Sequence, residues 1–349
     1  MGVQFGDLIP KKTISFEILK GKAVAIDAMN TLYQFLSIIR QPDGTPLKTS
    51  DGRITSHMSG LLYRTTNLVE LEIKPVYVFD GEPPEFKSLT IEERQLIRQR
   101  AREEWVKAMK MGASTEEMLK LAKATARLTD EMVQESKQLL DFMGIPWIQA
   151  PSEGEAQAAY MANKNVVWAT GSQDWDSLLF GANRLVRNLT ITGKRKLPRK
   201  NVWIEVEPEL LELEDVLNEL NLTREQLIDV AILIGTDYNP DGLEKVGPKR
   251  ATELIKKFGS IKQLLKDPEW GQRIRKEIPV NPLEVQEIFL KPKVTDKYKQ
   301  LQWKEPQPEK IIDFLCMERE FSEERVRKAL ERLQKATVKR KQATLEKFF

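Results

Sequence analysis

The sequence predicts an α/β fold with a mostly parallel central sheet flanked by helices, and three observations predict it. Short Val-rich apolar runs, "KAVAID" (22–27), "KPVYVFD" (74–80) and "NVVWAT" (165–170), are bounded by polar or turn residues, as buried strands are. Helical spacing separates each from the next, as in "SHMSGLLYRTTNLVELE" (56–72), and such alternation is the signature of a parallel sheet. At 349 residues the chain can bury a large core, as one big domain or two smaller ones.

The remaining elements follow in order. "TDEMVQESKQLLDFMG" (129–144) reads as a helix with Thr129 as N-cap and Gly144 just past its end, and "IPWIQ" after it as a further strand. Between the second strand and that helix lies an insertion, 87–128, with helical spacing but little apolar face. "GAST" interrupts it, and Ser114 with Glu117 forms a capping-box start for its second half. Two charged helices with a break fit an exposed arch better than a core. From 207 onward the pattern is mainly helical, and "ATVKRKQATLEKFF" reads as a flexible basic tail. No internal repeat is visible.

The net charge of +3 conceals segregation. Residues 87–127 hold ten Lys or Arg against six Asp or Glu, and residues 325–349 hold nine against two, which leaves the rest of the chain at −8. Two basic regions and an acidic remainder suit a polyanionic ligand brought to a cation-binding centre; solvated charged faces are the plainer alternative. A single cysteine, Cys316, excludes internal disulfides and a cysteine-based zinc site, and its apolar surroundings suggest core packing. His57, the only histidine, stands at a helix start and suits a structural or surface role. No apolar run approaches membrane-spanning length and "MGVQFGDLIPKK" lacks a signal-peptide core, so a soluble intracellular protein is expected.

The acids carry the chemistry. Asp27 and Asp80 close their strands, and Asp174 and Asp176 follow a third within a few residues. Ligands of open α/β sheets bind outside the carboxyl ends of the strands, so these four should converge. Glu153 and Glu155 begin a helix at the same edge, and Asp237 in "ILIGTDYNP" follows a helix. Each has an ordinary alternative: Asp27 as an N-cap, Asp80 in a turn, Ser152 with Glu155 as a capping box, Asp174 and Asp176 as loop acids. Together they gather like charges that repel by several kcal/mol at about 4 Å unless a cation intervenes. Oxygen ligands without histidine or thiolate point to Mg²⁺ or Mn²⁺, and two such ions can support phosphodiester cleavage.

At this point the sequence resembles a flap endonuclease of the XPG nuclease superfamily, of archaeal type. The segments "VAIDAMNTLYQF", "HMSGLLYRTTNL", "KPVYVFDGEPPEFK", "PSEGEAQAAYM", "GSQDWDSLLFGA", "LIGTDYNPDG", "VGPKRATELI" and "QATLEKFF" carry the resemblance, in family order across nearly the whole chain. It implies a PIN-like nuclease core with a helical arch and a helix–turn–helix DNA-binding element. The expected regions are 1–98 (N-terminal nuclease), 99–128 (arch), 129–258 (internal nuclease with the helix–turn–helix), 259–330 (C-terminal helical) and 331–349 (tail).

The resemblance further implies a two-metal site at Asp27, Asp80, Glu153, Glu155, Asp174, Asp176 and Asp237, with Lys87 and Arg94 as cations for the scissile phosphate. It implies DNA contacts at Tyr33, Arg40 and Arg64, and a grip on duplex phosphates at Gly247, Lys249 and Arg250. The family reads Gly-x-Gly-Pro in that loop, and this chain has Lys245 in the first glycine's place. Gln342, Leu345, Phe348 and Phe349 match a sliding-clamp-binding pattern. The expected function is a monomeric, Mg²⁺-dependent 5′-flap endonuclease with 5′–3′ exonuclease activity. It would act on branched DNA in replication, including Okazaki fragment maturation, and in base excision repair. It would be cytoplasmic and nucleoid-associated, or nuclear in a eukaryote, with no membrane partner. The alternatives are a non-catalytic DNA-junction binder that recruits the clamp, or a related exonuclease of the superfamily.

Overall fold

The computed structural model describes residues 2–84, 87, 96, 99–108, 111, 121, 124–190, 194–196, 203–298 and 300–345. The strands are β1 (Lys12–Thr13), β2 (Ala23–Asp27), β3 (Lys74–Phe79), β4 (Trp147–Gln149), β5 (Ala169–Gly171), β6 (Arg184–Arg187), β7 (Lys194–Lys196), β8 (Trp203–Glu205) and β9 (Glu209–Glu212). The helices of the sheet region are α1 (Ala28–Ile38), α2 (Ser56–Glu70), α3 (Asp130–Met143), α4 (Gly154–Asn163) and α5 (Asp176–Leu179). Then come α6 (Leu213–Leu220), α7 (Arg224–Ile234), α8 (Pro248–Phe258), α9 (Ile261–Leu264), α10 (Pro268–Glu277), α11 (Pro282–Leu290), α12 (Pro308–Ile312) and α13 (Glu323–Leu345).

Seven strands form the central sheet in the order β1-β9-β6-β5-β2-β3-β4, and β7 pairs with β8 alone. The interior pairs from β6 through β4 are parallel, whereas β9 runs antiparallel to both β6 and β1. Alternation along the central strands explains why helices cover both faces. Val24 and Ile26 of β2, with Tyr77 and Phe79 of β3, pack against α1, α2, α3 and α13. Ala25, Val76 and Val78 face the other way, onto Ala158, Met161 and Ala162 of α4.

The chain runs outward from β2 through β3 to β4, then crosses back to place β5 on the other side of β2. The connections leaving β2 and β5 therefore diverge. That divergence opens a crevice above their carboxyl ends, the place where open α/β sheets bind ligands.

Three expectations need correction. The run 165–170 is a strand only from Ala169, because Asn165 takes a left-handed φ of 56° and the chain turns before entering the sheet. The region after 207 is not helical at once: β9 first returns to the sheet beside β6. Residues 331–345 are no flexible tail but the continuation of α13, which packs along α2. Leu333, Ala336 and Thr337 are buried there, Arg332 pairs with Glu70 and Asn67, and Lys339 reaches Glu72 at 2.8 Å. The helix 129–144 is as read: Thr129 accepts a hydrogen bond from the Met132 N–H, and Gly144 ends the helix at φ 71°.

Candidate active site

All seven acids singled out in the sequence line one cavity of about 390 Å³ at this crevice, together with Lys87 and Tyr33. β2 delivers Asp27, β3 leads directly into Asp80, the turn after β5 delivers Asp174, and Asp176 opens α5. Glu153 and Glu155 stand at the start of α4, and Asp237 follows α7. Among the described residues no histidine or cysteine lines the cavity.

Local chemistry holds each acid in place. Asp27 is both a cavity residue and the N-cap of α1, accepting the Asn30 N–H at 3.0 Å, so its two readings are compatible. Asp80 accepts the Gly154 N–H at 2.7 Å, and a Cβ at Gly154 would fall 2.8 Å from that carboxylate; a glycine is needed there for close approach. The capping box read at Ser152 and Glu155 does not form. Ser152 instead donates to the Glu82 carbonyl at 2.9 Å, and Glu155 turns inward to accept from Ser172 at 2.6 Å and Ser177 at 3.3 Å.

Asp176 accepts the Val3 N–H at 2.9 Å, and a Cβ at Gly2 would lie only 2.5 Å from it. The N-terminal segment thus forms part of the site. Arg187 secures the turn bearing Asp174 and Asp176: its guanidinium stacks 4.3 Å from the Trp175 ring and donates to the Gln173 carbonyl at 3.1 Å. Phe180 and Tyr238 complete the wall and rest against Phe289. The sequence offered no signal for Gly2, Val3 or Arg187, since their roles depend on chain segments remote in sequence.

The electrostatics are those of crowded, buried carboxylates. Burial first, then Asp80, raises the pKa of Asp27; burial, then Glu153, raises that of Asp80. Burial, then Asp237, raises Asp176, and burial followed by Asp27 raises Glu155. Lys87 is the counterweight, 2.8 Å from Glu153 and 3.5 Å from Asp237. Burial opposes its charge, but Glu153, Asp237 and Asp80 outweigh that and raise its pKa. Among the described residues no three acids close tightly enough to hold an ion as they stand; Lys87 engages two of them instead.

The other expected contacts are distributed around this centre. Tyr33 lines the cavity, whereas Arg40 and Arg64 lie off its wall. Arg40 is half-buried and donates to the Gly44 carbonyl at 2.9 Å. Gly247 caps α8, with Lys249 and Arg250 exposed in the first turn; a Cβ on Gly247 would meet nothing, which leaves the helix N-terminus open to an anion. Lys245, before it, holds φ 59°. Arg94, the Ser114–Glu117 cap, Phe348 and Phe349 lie outside the described residues, and Gln342 and Leu345 fall in the last turns of α13. His57 is buried and hydrogen-bonds Glu135 at 3.1 Å, a structural role off the cavity wall.

A parallel α/β core with seven carboxylates around its switch-point cavity defines a nuclease core of the XPG class. Residues 1–101 match the XPG N-terminal domain and residues 144–237 the XPG I-region. Flap endonuclease 1 of Thermococcus onnurineus is 56% identical over 349 residues, covering 100% of this chain and 99% of that protein. The Pyrococcus furiosus enzyme of the same name is also 56% identical, with the same coverage. Among solved structures, flap endonuclease-1 from Methanococcus jannaschii superposes with a TM-score of 0.75 at 44% identity, over 97% of this chain and 99% of that one. The catalytic core of Rad2 in complex with a DNA substrate gives 0.70 at 26% identity, over 95% and 100%. The chain belongs to the flap endonuclease family.

Proposed function

We propose that this protein is a divalent-metal-dependent, structure-specific 5′-flap endonuclease with 5′–3′ exonuclease activity, serving DNA replication and base excision repair. The observation that carries the reading is the convergence of seven carboxylates and Lys87 on one cavity at the sheet's switch point. Burying that many acids is costly, and a non-catalytic junction binder would have no use for them.

The donor set fits hard cations: it is all carboxylate oxygen, with no imidazole or thiolate among the described residues of the wall. Asp27, Asp80, Glu153, Glu155, Asp174, Asp176 and Asp237 would hold Mg²⁺ or Mn²⁺, as two ions. What such ions supply when bound is Lewis acidity toward water and phosphoryl oxygens. The protein's own groups do the rest. Lys87 presents its ammonium at the cavity and exchanges Glu153 and Asp237 for the scissile phosphate, with Arg94 as its partner cation. Tyr33 offers a ring for a base to stack on at the cavity mouth. Gly247, Lys249 and Arg250 hold duplex phosphates through backbone N–H groups and charge, while Arg40 and Arg64 contact the backbone elsewhere. Gln342, Leu345, Phe348 and Phe349 form an apolar plug for the groove of a sliding clamp, on a nuclease that acts as a monomer.

The test is cleavage of a labelled double-flap substrate with and without Mg²⁺, the products mapped at nucleotide resolution. A single incision near the flap base that requires the metal is expected. Incision scattered along single strands, or none at any metal concentration, would overturn the reading.

A further inference from the structure

Asn30 lies in the first turn of α1, three residues after Asp27. Its backbone N–H donates to Asp27 Oδ1 at 3.0 Å, and its side-chain Nδ2 donates to Asp174 Oδ2 at 2.6 Å. One residue therefore ties the acid at the end of β2 to the acid after β5, across the crevice where the chain reverses direction. A carboxylate only accepts hydrogen bonds, so the amide nitrogen must face Asp174.

The chemistry of this tie is specific. A lysine or arginine at position 30 would draw Asp174 inward but neutralise it and compete with a bound cation. A carboxamide draws it inward and leaves its full charge available. The same logic continues to Ser172, whose hydroxyl donates to Glu155 at 2.6 Å and accepts the Asp174 N–H at 3.2 Å. Neutral donors thus connect Asp27, Asp174 and Glu155 in one chain of hydrogen bonds, and Asn30 is the member that spans two strands.

We infer that Asn30 is a positioning residue that sets the separation of Asp27 and Asp174 for cation binding; the inference rests on the acid cavity being the metal site. Partners that orient metal-binding side chains are typically worth about 10- to 100-fold in affinity. Two variants separate the amide's donation from its bulk. Asn30→Ala removes both, and alanine in a first helical turn preserves α1, whose cap uses the backbone N–H. Asn30→Leu keeps the branched shape and the bulk while removing the amide that donates.

The measurement is calorimetric titration of the DNA-free protein with Mn²⁺, beside melting temperature and flap-DNA affinity in chelator. Both variants are expected to bind Mn²⁺ about 10- to 100-fold more weakly than wild type, with flap-DNA affinity unchanged. Their single-turnover rate should fall at limiting Mg²⁺ and recover as Mg²⁺ is raised. Asp174→Ala serves as the reference. If it weakens Mn²⁺ binding and neither Asn30 variant does, Asn30 plays no positioning part, although the acid site stands. If Asn30→Leu binds as wild type while Asn30→Ala does not, bulk and not donation matters, and the inference fails. If Asp174→Ala binds Mn²⁺ as wild type, the acid-site reading falls and takes this one with it.

Discussion

Lys87 illustrates how much one side chain can balance. Its ammonium lies within ion-pair distance of Glu153 and Asp237 and in the field of Asp80, all on the wall of one cavity. Its charge is therefore secure, and a phosphate entering the cavity would meet a cation already in position. Losing one such preorganised electrostatic contact typically costs about 10²- to 10³-fold in rate. Lys87→Ala should lower single-turnover cleavage by that factor while changing flap affinity little, because other cations dominate phosphate binding. Parallel rate and binding measurements decide it: an affinity loss as large as the rate loss would make Lys87 a DNA contact only.

At the scale of elements, the loop between α7 and α8 holds a lysine in a conformation that suits glycine. Lys245 occupies φ 59°, where a glycine is at ease and a Cβ costs about 1–2 kcal/mol. Its side chain is solvent-exposed beside Glu244, and that contact offsets little. Lys245→Gly should raise stability by no more than about 1 kcal/mol, after the extra entropy that glycine loses on folding. Thermal unfolding of the two proteins measures it, and a clear loss on substitution would mean that the lysine side chain anchors the loop.

Behind the same helices, Asp229 of α7 is buried and accepts from the Ile261 N–H at 2.9 Å and the Gln286 amide at 2.5 Å, tying α7 to α9 and α11. Burial pushes its pKa up to about 7 from the usual 3.8, against those hydrogen bonds. The native state then holds a proton that the unfolded chain releases, so this group's contribution falls as pH rises from about 4 to 7 and is level above that. Asp229→Asn, whose oxygen still accepts from Ile261, should flatten the decline in melting temperature between about pH 4 and 7. Equal pH slopes in the two proteins would show that Asp229 does not titrate in that window.

For the molecule as a whole, α13 decides how the C-terminus is carried. Its inner face is packed on α2 through Leu333, Ala336 and Thr337 and pinned by Arg332 and Lys339. A partner gripping the chain end would therefore hold the nuclease by a helix seated on the core, not by a slack tether. Deleting residues 342–349 removes nothing that these anchors use. Melting temperature and unassisted cleavage should stay near wild type, whereas stimulation by a sliding clamp should vanish. Leu333→Ala, by contrast, should cost about 2–5 kcal/mol, as buried leucines do. Calorimetry and cleavage with and without clamp test both halves; undiminished clamp affinity after the deletion would refute the motif.

The sequence by itself determined the parallel core, the helix 129–144 with both its caps, and the acids that meet at the site. These signals are local: a Val-rich run, a cap residue, and an acid at a strand's carboxyl end follow from short-range chemistry. It could not separate Asp27 as a cap from Asp27 as a cavity acid, because the structure uses it as both. What only the tertiary structure decided was pairing at long range. Asn30 reaches Asp174, Val3 reaches Asp176, Glu155 abandons its cap for Ser172, and a basic segment that reads as solvated becomes a helix seated on α2. The physical reason is common to all four. Each depends on a partner delivered by the fold, and burial against that partner overrides the local preference that the residue expresses on its own.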